Sequence, residues 1–148
     1  MFKNVLVICA GNICRSPTAE HLLQRNLAGT GIRVSSAGLT AVVGHPFERN
    51  ALETLQRHDQ QPSEHQARQL TPQILKASDL VLVMERRQLQ DVIRLSPASR
   101  GKTFLLGKWQ SEREIPDPYR QCPAAFEHAY SLIEEGADAW SRRLQPQR

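Results

Sequence analysis

Val5-Leu6-Val7-Ile8, running on into Cys9-Ala10-Gly11-Asn12-Ile13-Cys14-Arg15-Ser16-Pro17, is the stretch on which the fold turns. Its first four residues are uninterruptedly apolar and mostly β-branched, the pattern of a strand buried on both faces of a parallel sheet. Ser16-Pro17 reads as the N-cap and first position of a helix, and Ala19, Leu22, Leu23 and Leu27 then recur at helical spacing. Strand, tight loop and helix in succession put residues 9–17 where open α/β folds bind ligands, at the carboxyl end of a strand and the amino end of a helix.

The alternation continues along the chain. Residues 32–35 read as a second strand, followed by a loop with Gly38, Gly44 and Pro46 and a helix that turns Ala51, Leu52 and Leu55 inward. Leu80-Val81-Leu82-Val83-Met84 is the next buried strand, a helix with Leu89, Val92 and Ile93 follows, and Thr103-Phe104-Leu105-Leu106 is the last strand. Residues 107–122 form a polar loop, after which Pro123 opens a long helix with Phe126, Ala129, Tyr130, Ile133, Ala137, Trp140 and Leu144 on one stripe. This order predicts a three-layer α/β/α fold with a central four-stranded parallel sheet and helices on both faces.

A chain of 148 residues suits one domain spanning 1–148, and 40% hydrophobic with 23% charged residues is the composition of a globular protein, not a disordered one. The apolar run from Val5 to Ala10 is far shorter than the roughly 20 residues a bilayer span needs. No signal-peptide cleavage pattern follows it, so the expectation is a cytoplasmic protein with no membrane insertion. Net charge is +4, spread as seven basic and five acidic residues up to position 74 and twelve and ten beyond it. With no basic block and 5% aromatic residues, a nucleic-acid partner is not expected. Cys9, Cys14 and Cys122 are an odd count and too few for a disulfide framework, which points to reduced thiols with a chemical role. Without a Cys-x2-Cys pair or any other ligand spacing, neither a metal nor a cofactor is expected.

A loop that wraps into a helix N-terminus directs successive backbone N–H groups at one point, and the helix dipole adds partial positive charge there. A phosphate dianion suits such a cradle, made here of Ala10, Gly11, Asn12, Ile13, Cys14 and Arg15, with Gly11 allowing the tight curvature. Arg15, six positions after Cys9, can reach back and donate two parallel hydrogen bonds to phosphate oxygens. Cys9 then lies at the floor, where the same N–H groups favour the thiolate, a nucleophile facing phosphorus. Ser16 is close enough to hydrogen-bond the sulfur. A bare Cys-x5-Arg spacing more often means a buried strand-end cysteine and a surface arginine; here its placement between strand and helix favours chemistry.

Residues 9–17 resemble the phosphate loop of the low-molecular-weight protein tyrosine phosphatase family, which reads Cys-x-Gly-Asn-x-Cys-Arg-Ser-Pro. Ser35-Ser36-Ala37-Gly38-Leu39, His65-Gln66-Ala67-Arg68-Gln69-Leu70, Val83-Met84-Glu85 and Ile115-Pro116-Asp117-Pro118-Tyr119 look like further landmarks of that family, in order and spacing. The resemblance implies hydrolysis of phosphotyrosine through a phosphocysteine on Cys9, with Asp117, stiffened by Pro116 and Pro118, as the general acid. It implies that Asn12, Ser36 and His65 support the phosphate loop. Tyr119 and Leu39 are expected as walls for the substrate ring. Arg120, where many members carry a second Tyr, is expected at the rim, and the loop 39–46 lacks the aromatic of eukaryotic members. These features resemble the bacterial subgroup related to Wzb, which implies a tyrosine autokinase of capsule or exopolysaccharide export as partner, and inorganic phosphate as product. Cys14 either packs or traps oxidised Cys9 as a disulfide.

Three other readings compete. A thiol-coupled arsenate reductase shares this fold and loop but needs relay cysteines, which residues 78–92 lack. A protein-arginine phosphatase tends to carry Thr at the position of Ile13. A non-catalytic phosphotyrosine-binding module needs neither Cys9 nor Asp117.

Overall fold

Beyond Asn4, every residue of β1 (Asn4–Cys9) is buried, as packing on both faces requires. The computed structural model describes residues 2–145. After β1 come α1 (Arg15–Asn26), β2 (Arg33–Gly38), α2 (Arg49–Arg57), α3 (Pro72–Lys76), β3 (Leu80–Val83), α4 (Arg86–Leu95), a 3-10 turn over Pro97–Lys102, β4 (Thr103–Leu105) and α5 (Pro123–Leu144). The strands form one parallel sheet in the order β2-β1-β3-β4.

The period of two along β1 and β3 sorts the core into two halves. Val5, Val7, Leu80 and Leu82 face α1, α2 and α5, where they pack with Leu22, Leu23, Leu55, Ile133 and Trp140. Leu6, Ile8, Val81 and Val83 face the other way, onto Leu75 of α3 and Val92 of α4. The predicted three layers are therefore observed, with α3 and α4 on one face and α1, α2 and α5 on the other. Burying each of these aliphatic side chains is worth on the order of 1.5–3 kcal/mol, so the two half-cores hold the sheet's carboxyl edge in place.

Three local expectations are revised. The second strand was expected over 32–35 but runs as Arg33–Gly38, because β1 offers it partners as far as Cys9. The N-cap of α1 is Cys14, not Ser16, whose hydroxyl is engaged with Cys9 and Asn12 instead. The short helix α3 and the 3-10 turn were not anticipated: both are shorter than the window over which apolar periodicity can be read.

In this order the chain leaves β1 to one side for β2 and returns to the other side for β3. Crevices at the carboxyl ends of strands open at such a reversal. The loop after Cys9 and the exit of β3 at Glu85 lie at this one.

Candidate active site

The loop between β1 and α1 is shaped from outside. Each carbonyl from Cys9 to Cys14 accepts a hydrogen bond from the surrounding structure. Leu39 N donates to Cys9 O (3.0 Å), Thr40 N to Ala10 O (3.0 Å), Val42 N to Gly11 O (3.1 Å) and Glu48 N to Ile13 O (2.7 Å). His65 Nε2 lies 2.5 Å from Asn12 O, and Thr18 Oγ1 donates to Cys14 O at 2.8 Å. With its carbonyls turned outward the loop turns its N–H groups inward, and those of Gly11 to Cys14 have no protein acceptor among the described residues. That is the electrostatic character of an anion cradle.

The curvature comes from Asn12, whose φ of 58° is left-handed. Gly11, expected to provide it, has no such backbone, and a Cβ there would meet nothing closer than 3.5 Å. Asn12 is completely buried and its side chain is fully used. Its Nδ2 donates to Ser16 Oγ (2.8 Å) and Ser36 Oγ (2.9 Å), and its Oδ1 accepts from Arg68 N (2.9 Å). Ser36 Oγ in turn donates to Glu20 Oε1 at 2.5 Å. These bonds offset the cost of a left-handed non-glycine residue, which is held only where its surroundings over-determine it. Gly38 closes the assembly: a Cβ on it would lie 2.6 Å from Ala10 O, so only glycine lets the end of β2 approach the loop.

Inside this frame, Cys9 Sγ lies at the foot of the cradle, 3.0 Å from Ser16 Oγ. Arg15 is 2% exposed. Its Nη1 donates to Glu85 Oε1 (2.5 Å) and to Ile115 O (2.9 Å), and its Nη2 lies 3.7 Å from Asp117 Oδ2. One edge of the guanidinium is thus anchored while its other donors remain for a ligand. Asp117 is oriented from behind, its Oδ1 accepting from Tyr119 N at 3.0 Å. Cys14 is buried but faces a different set of residues, packing with Ala51 and Phe126. Burial pushes its thiol well above the ordinary range, and the neighbouring Cys9 adds to the shift.

A cavity of about 210 Å³ opens over this floor. Thr40 and Val42 form one side, Asp117 and Tyr119 the other. Leu39, expected as a wall, does not line it. Because β2 extends to Gly38, the alternation of side chains sends Leu39 to the same face as Ala37, where it packs with Leu6 and Ile8. Val42 stands in its place. A larger hollow of about 530 Å³ lies at the opposite end of the sheet, among Phe2, Ile32, Arg33 and Leu144, but no cysteine and no carboxylate line it, so chemistry rather than size selects the site.

The expected residues Cys9, Arg15, Ser16, Asn12, Ser36, His65, Asp117 and Tyr119 are therefore brought together. Glu85, Glu20, Arg68, Thr40 and Val42 join them without having been assigned roles from sequence. The signal for Glu85 was its place one residue beyond Met84 at a buried strand's exit, a position that the crevice rule marks. Among the described residues no group of three or more His, Cys, Asp or Glu is placed to hold a metal ion. Cys122 is exposed at the N-cap of α5, outside the cavity.

A thiol beneath an anion cradle, a half-anchored guanidinium and a carboxylate across the opening can bind a phosphate monoester, attack its phosphorus and supply a proton to the leaving group. The comparisons with known proteins agree with this class. The sequence matches the low molecular weight phosphotyrosine protein phosphatase family over residues 4–148. It is 44% identical over 144 residues to the low molecular weight protein-tyrosine-phosphatase Wzb of Salmonella typhimurium, covering 97% of this chain and 95% of that protein. The crystal structure of the tyrosine phosphatase Wzb from Escherichia coli K30, in complex with sulphate, superposes with a TM-score of 0.93 at 40% identity, covering 97% of this chain and 99% of that one. The YwlE arginine phosphatase from Geobacillus stearothermophilus shares the architecture at a TM-score of 0.90 but only 26% identity, covering 97% and 93% of the two chains. The chain belongs to the low molecular weight phosphotyrosine protein phosphatase family, a class of cysteine-dependent phosphatases.

Proposed function

We propose that Cys9 is the nucleophile and Asp117 the general acid and base of this tyrosine phosphatase, with Arg15 and the loop 10–15 binding the phosphoryl group. The Cys9 thiolate attacks phosphorus, the S–P bond forms as the bond to the tyrosyl oxygen breaks, and Asp117 gives its proton to the departing phenolate. Asp117, now a carboxylate, takes a proton from the water that attacks the phosphocysteine, which releases inorganic phosphate and restores the thiolate. Ser16 Oγ, 3.0 Å from the sulfur, stabilises the thiolate when it leaves. The observation that carries this reading is the outward turn of all six carbonyls from Cys9 to Cys14, which leaves the inward N–H groups to stabilise phosphoryl charge beside a buried thiol.

The partner we infer is a bacterial tyrosine autokinase of capsule or exopolysaccharide export, dephosphorylated in the cytoplasm. Similarity to phosphatases named Wzb and EpsP supports this reading. Ile13, at the position where arginine phosphatases tend to carry Thr, lines the cavity and favours tyrosine. Incubating the protein with a phosphorylated autokinase tail tests the proposal. Phosphate release by the wild type, abolished in Cys9→Ser, is expected. Release from phosphoarginine substrates but not from the tail would overturn the tyrosine assignment.

A further inference from the structure

Immediately after the acid loop the chain turns sharply, with Gln121 N donating to Pro118 O at 2.8 Å. Arg120 sits in this turn with a φ of 63°, a left-handed backbone that long side chains seldom adopt. The guanidinium carbon of Arg120 lies 5.3 Å from the ring centroid of Tyr119, within cation–π range. Tyr119 lines the cavity and is 43% exposed, so Arg120, itself exposed, is carried at the mouth of the site.

Its lack of a carboxylate partner sets it apart from Arg15, the arginine that lines the cavity. Arg15 has the carboxylates of Glu85 and Asp117 within 4.0 Å, whereas Arg120 has none that close among the described residues. A guanidinium held over an aromatic ring by cation–π attraction spends no N–H donor on a protein acceptor in doing so. Arg120 is thus positioned by Tyr119 without spending the groups that bind anions.

We propose that Arg120 forms a second, rim anion subsite, which recognises a carboxylate or phosphate on a residue flanking the phosphotyrosine. This rests on the proposed phosphotyrosine site and adds to it a preference for substrates that carry a second negative group close by. An acidic side chain and a second phosphorylated tyrosine present the same chemistry to the guanidinium, and they differ in charge and reach.

Three phosphotyrosine peptides test the subsite: one with neutral flanks, one with a flanking glutamate and one with a flanking phosphotyrosine. The readout is the ratio of kcat/KM, counted per phosphotyrosine, between each anionic peptide and the neutral one, at low and high salt. In the wild type each ratio is expected to be roughly 3- to 5-fold at low salt, the size of an exposed ion pair, and to fade as salt rises. Arg120→Gly suits the left-handed turn and removes the charge, and should bring both ratios to about one; Arg120→Lys should keep part of each, and Arg120→Glu should invert them. If only the doubly phosphorylated peptide shows the effect, the subsite is one for phosphate; if only the glutamate peptide does, it is one for carboxylate. Wild-type ratios of one, or ratios unchanged in Arg120→Gly, would overturn the subsite while leaving the phosphatase reading intact. Failure of the wild type on all three peptides and on p-nitrophenyl phosphate would overturn both.

Discussion

Arg15 Nη1 lies 2.5 Å from Glu85 Oε1, across 70 residues of sequence. The arginine is 2% exposed and the glutamate side chain 24%, so an acid at the exit of β3 aims a cation that belongs to the loop after β1. Gln88 Oε1 accepts from Met84 N and Glu85 N and fixes that exit in turn.

Glu85→Ala should therefore raise KM for aryl phosphates and lower kcat/KM roughly 10- to 100-fold, because the guanidinium loses its anchor while its charge remains. The expected stability loss is roughly 1–3 kcal/mol, below the figure for a fully buried pair because Glu85 is partly open to water. Glu85→Gln keeps an acceptor and should fall between Glu85→Ala and wild type. Steady-state kinetics with chemical denaturation separate the two effects.

Arg15 and Asp117 should fail differently. Arg15→Ala loses affinity for inorganic phosphate as well as rate, since a guanidinium binds charge in both ground and transition states. Asp117→Asn should lower kcat/KM, which reports the leaving-group step and not the hydrolysis of the common phosphocysteine, by about 10²- to 10⁴-fold for phenyl phosphate and far less for p-nitrophenyl phosphate, whose leaving group needs no proton. Equal losses on the two substrates would remove Asp117 from the role of acid.

Redox protection by Cys14 should be slow at neutral pH. Its thiol is held above its ordinary value by burial first and by Cys9 second, and only the second contribution weakens once Cys9 is oxidised to the sulfenic acid. Since the thiolate is the attacking form, the Cys9–Cys14 disulfide should form faster as pH rises and lose to over-oxidation as pH falls. Peptide mapping after peroxide treatment at pH 6.5 and 8.5 would show it; a disulfide yield independent of pH would remove thiolate control of the step, and no Cys9–Cys14 disulfide at either pH would leave Cys14 as a packing residue.

Gly38→Ala should damage stability and activity together. The added methyl would meet Ala10 O at 2.6 Å and Ala41 Cα at 3.1 Å, both backbone atoms, so the phosphate loop must shift. A loss of about 1–3 kcal/mol in denaturant unfolding, with weaker phosphate binding, is expected.

Asp79 ties the start of β3 to the start of β1, its Oδ2 accepting from Lys3 N (2.9 Å) and Asn4 N (2.8 Å). Those backbone bonds lower its carboxyl below the usual value of 3.8. The folded state therefore binds the proton less readily than the unfolded one, so the contribution is complete above the ordinary carboxylate range and disappears as pH falls through the lowered folded value. Asp79→Ala should lower Tm at pH 7, and the difference from wild type should shrink below pH 3.8; Asp79→Asn, whose oxygen can still accept both bonds, should melt closer to wild type.

Much of the fold was legible because double-sided burial writes itself locally. Val5-Leu6-Val7-Ile8 and Leu80-Val81-Leu82-Val83 are apolar on both parities, and only a strand covered on two faces needs that. Leu39 was misplaced for a related reason: the extension of β2 to Gly38 depends on pairing with β1 and not on propensity, and three further residues of strand decide which face the next side chain takes.

The sequence by itself singled out Cys9 and Arg15, through their spacing between a strand and a helix, and Asp117, through the resemblance of its loop to the family. Tertiary structure alone decided what holds them. Glu85 on Arg15, Glu20 on Ser36, Arg68 on Asn12 and Val42 opposite Tyr119 join segments that the chain separates by between 16 and 77 residues. Hydrogen bonds and packing act over a few ångströms of space, so which distant residues meet is settled only when the sheet brings the ends of its strands to one edge.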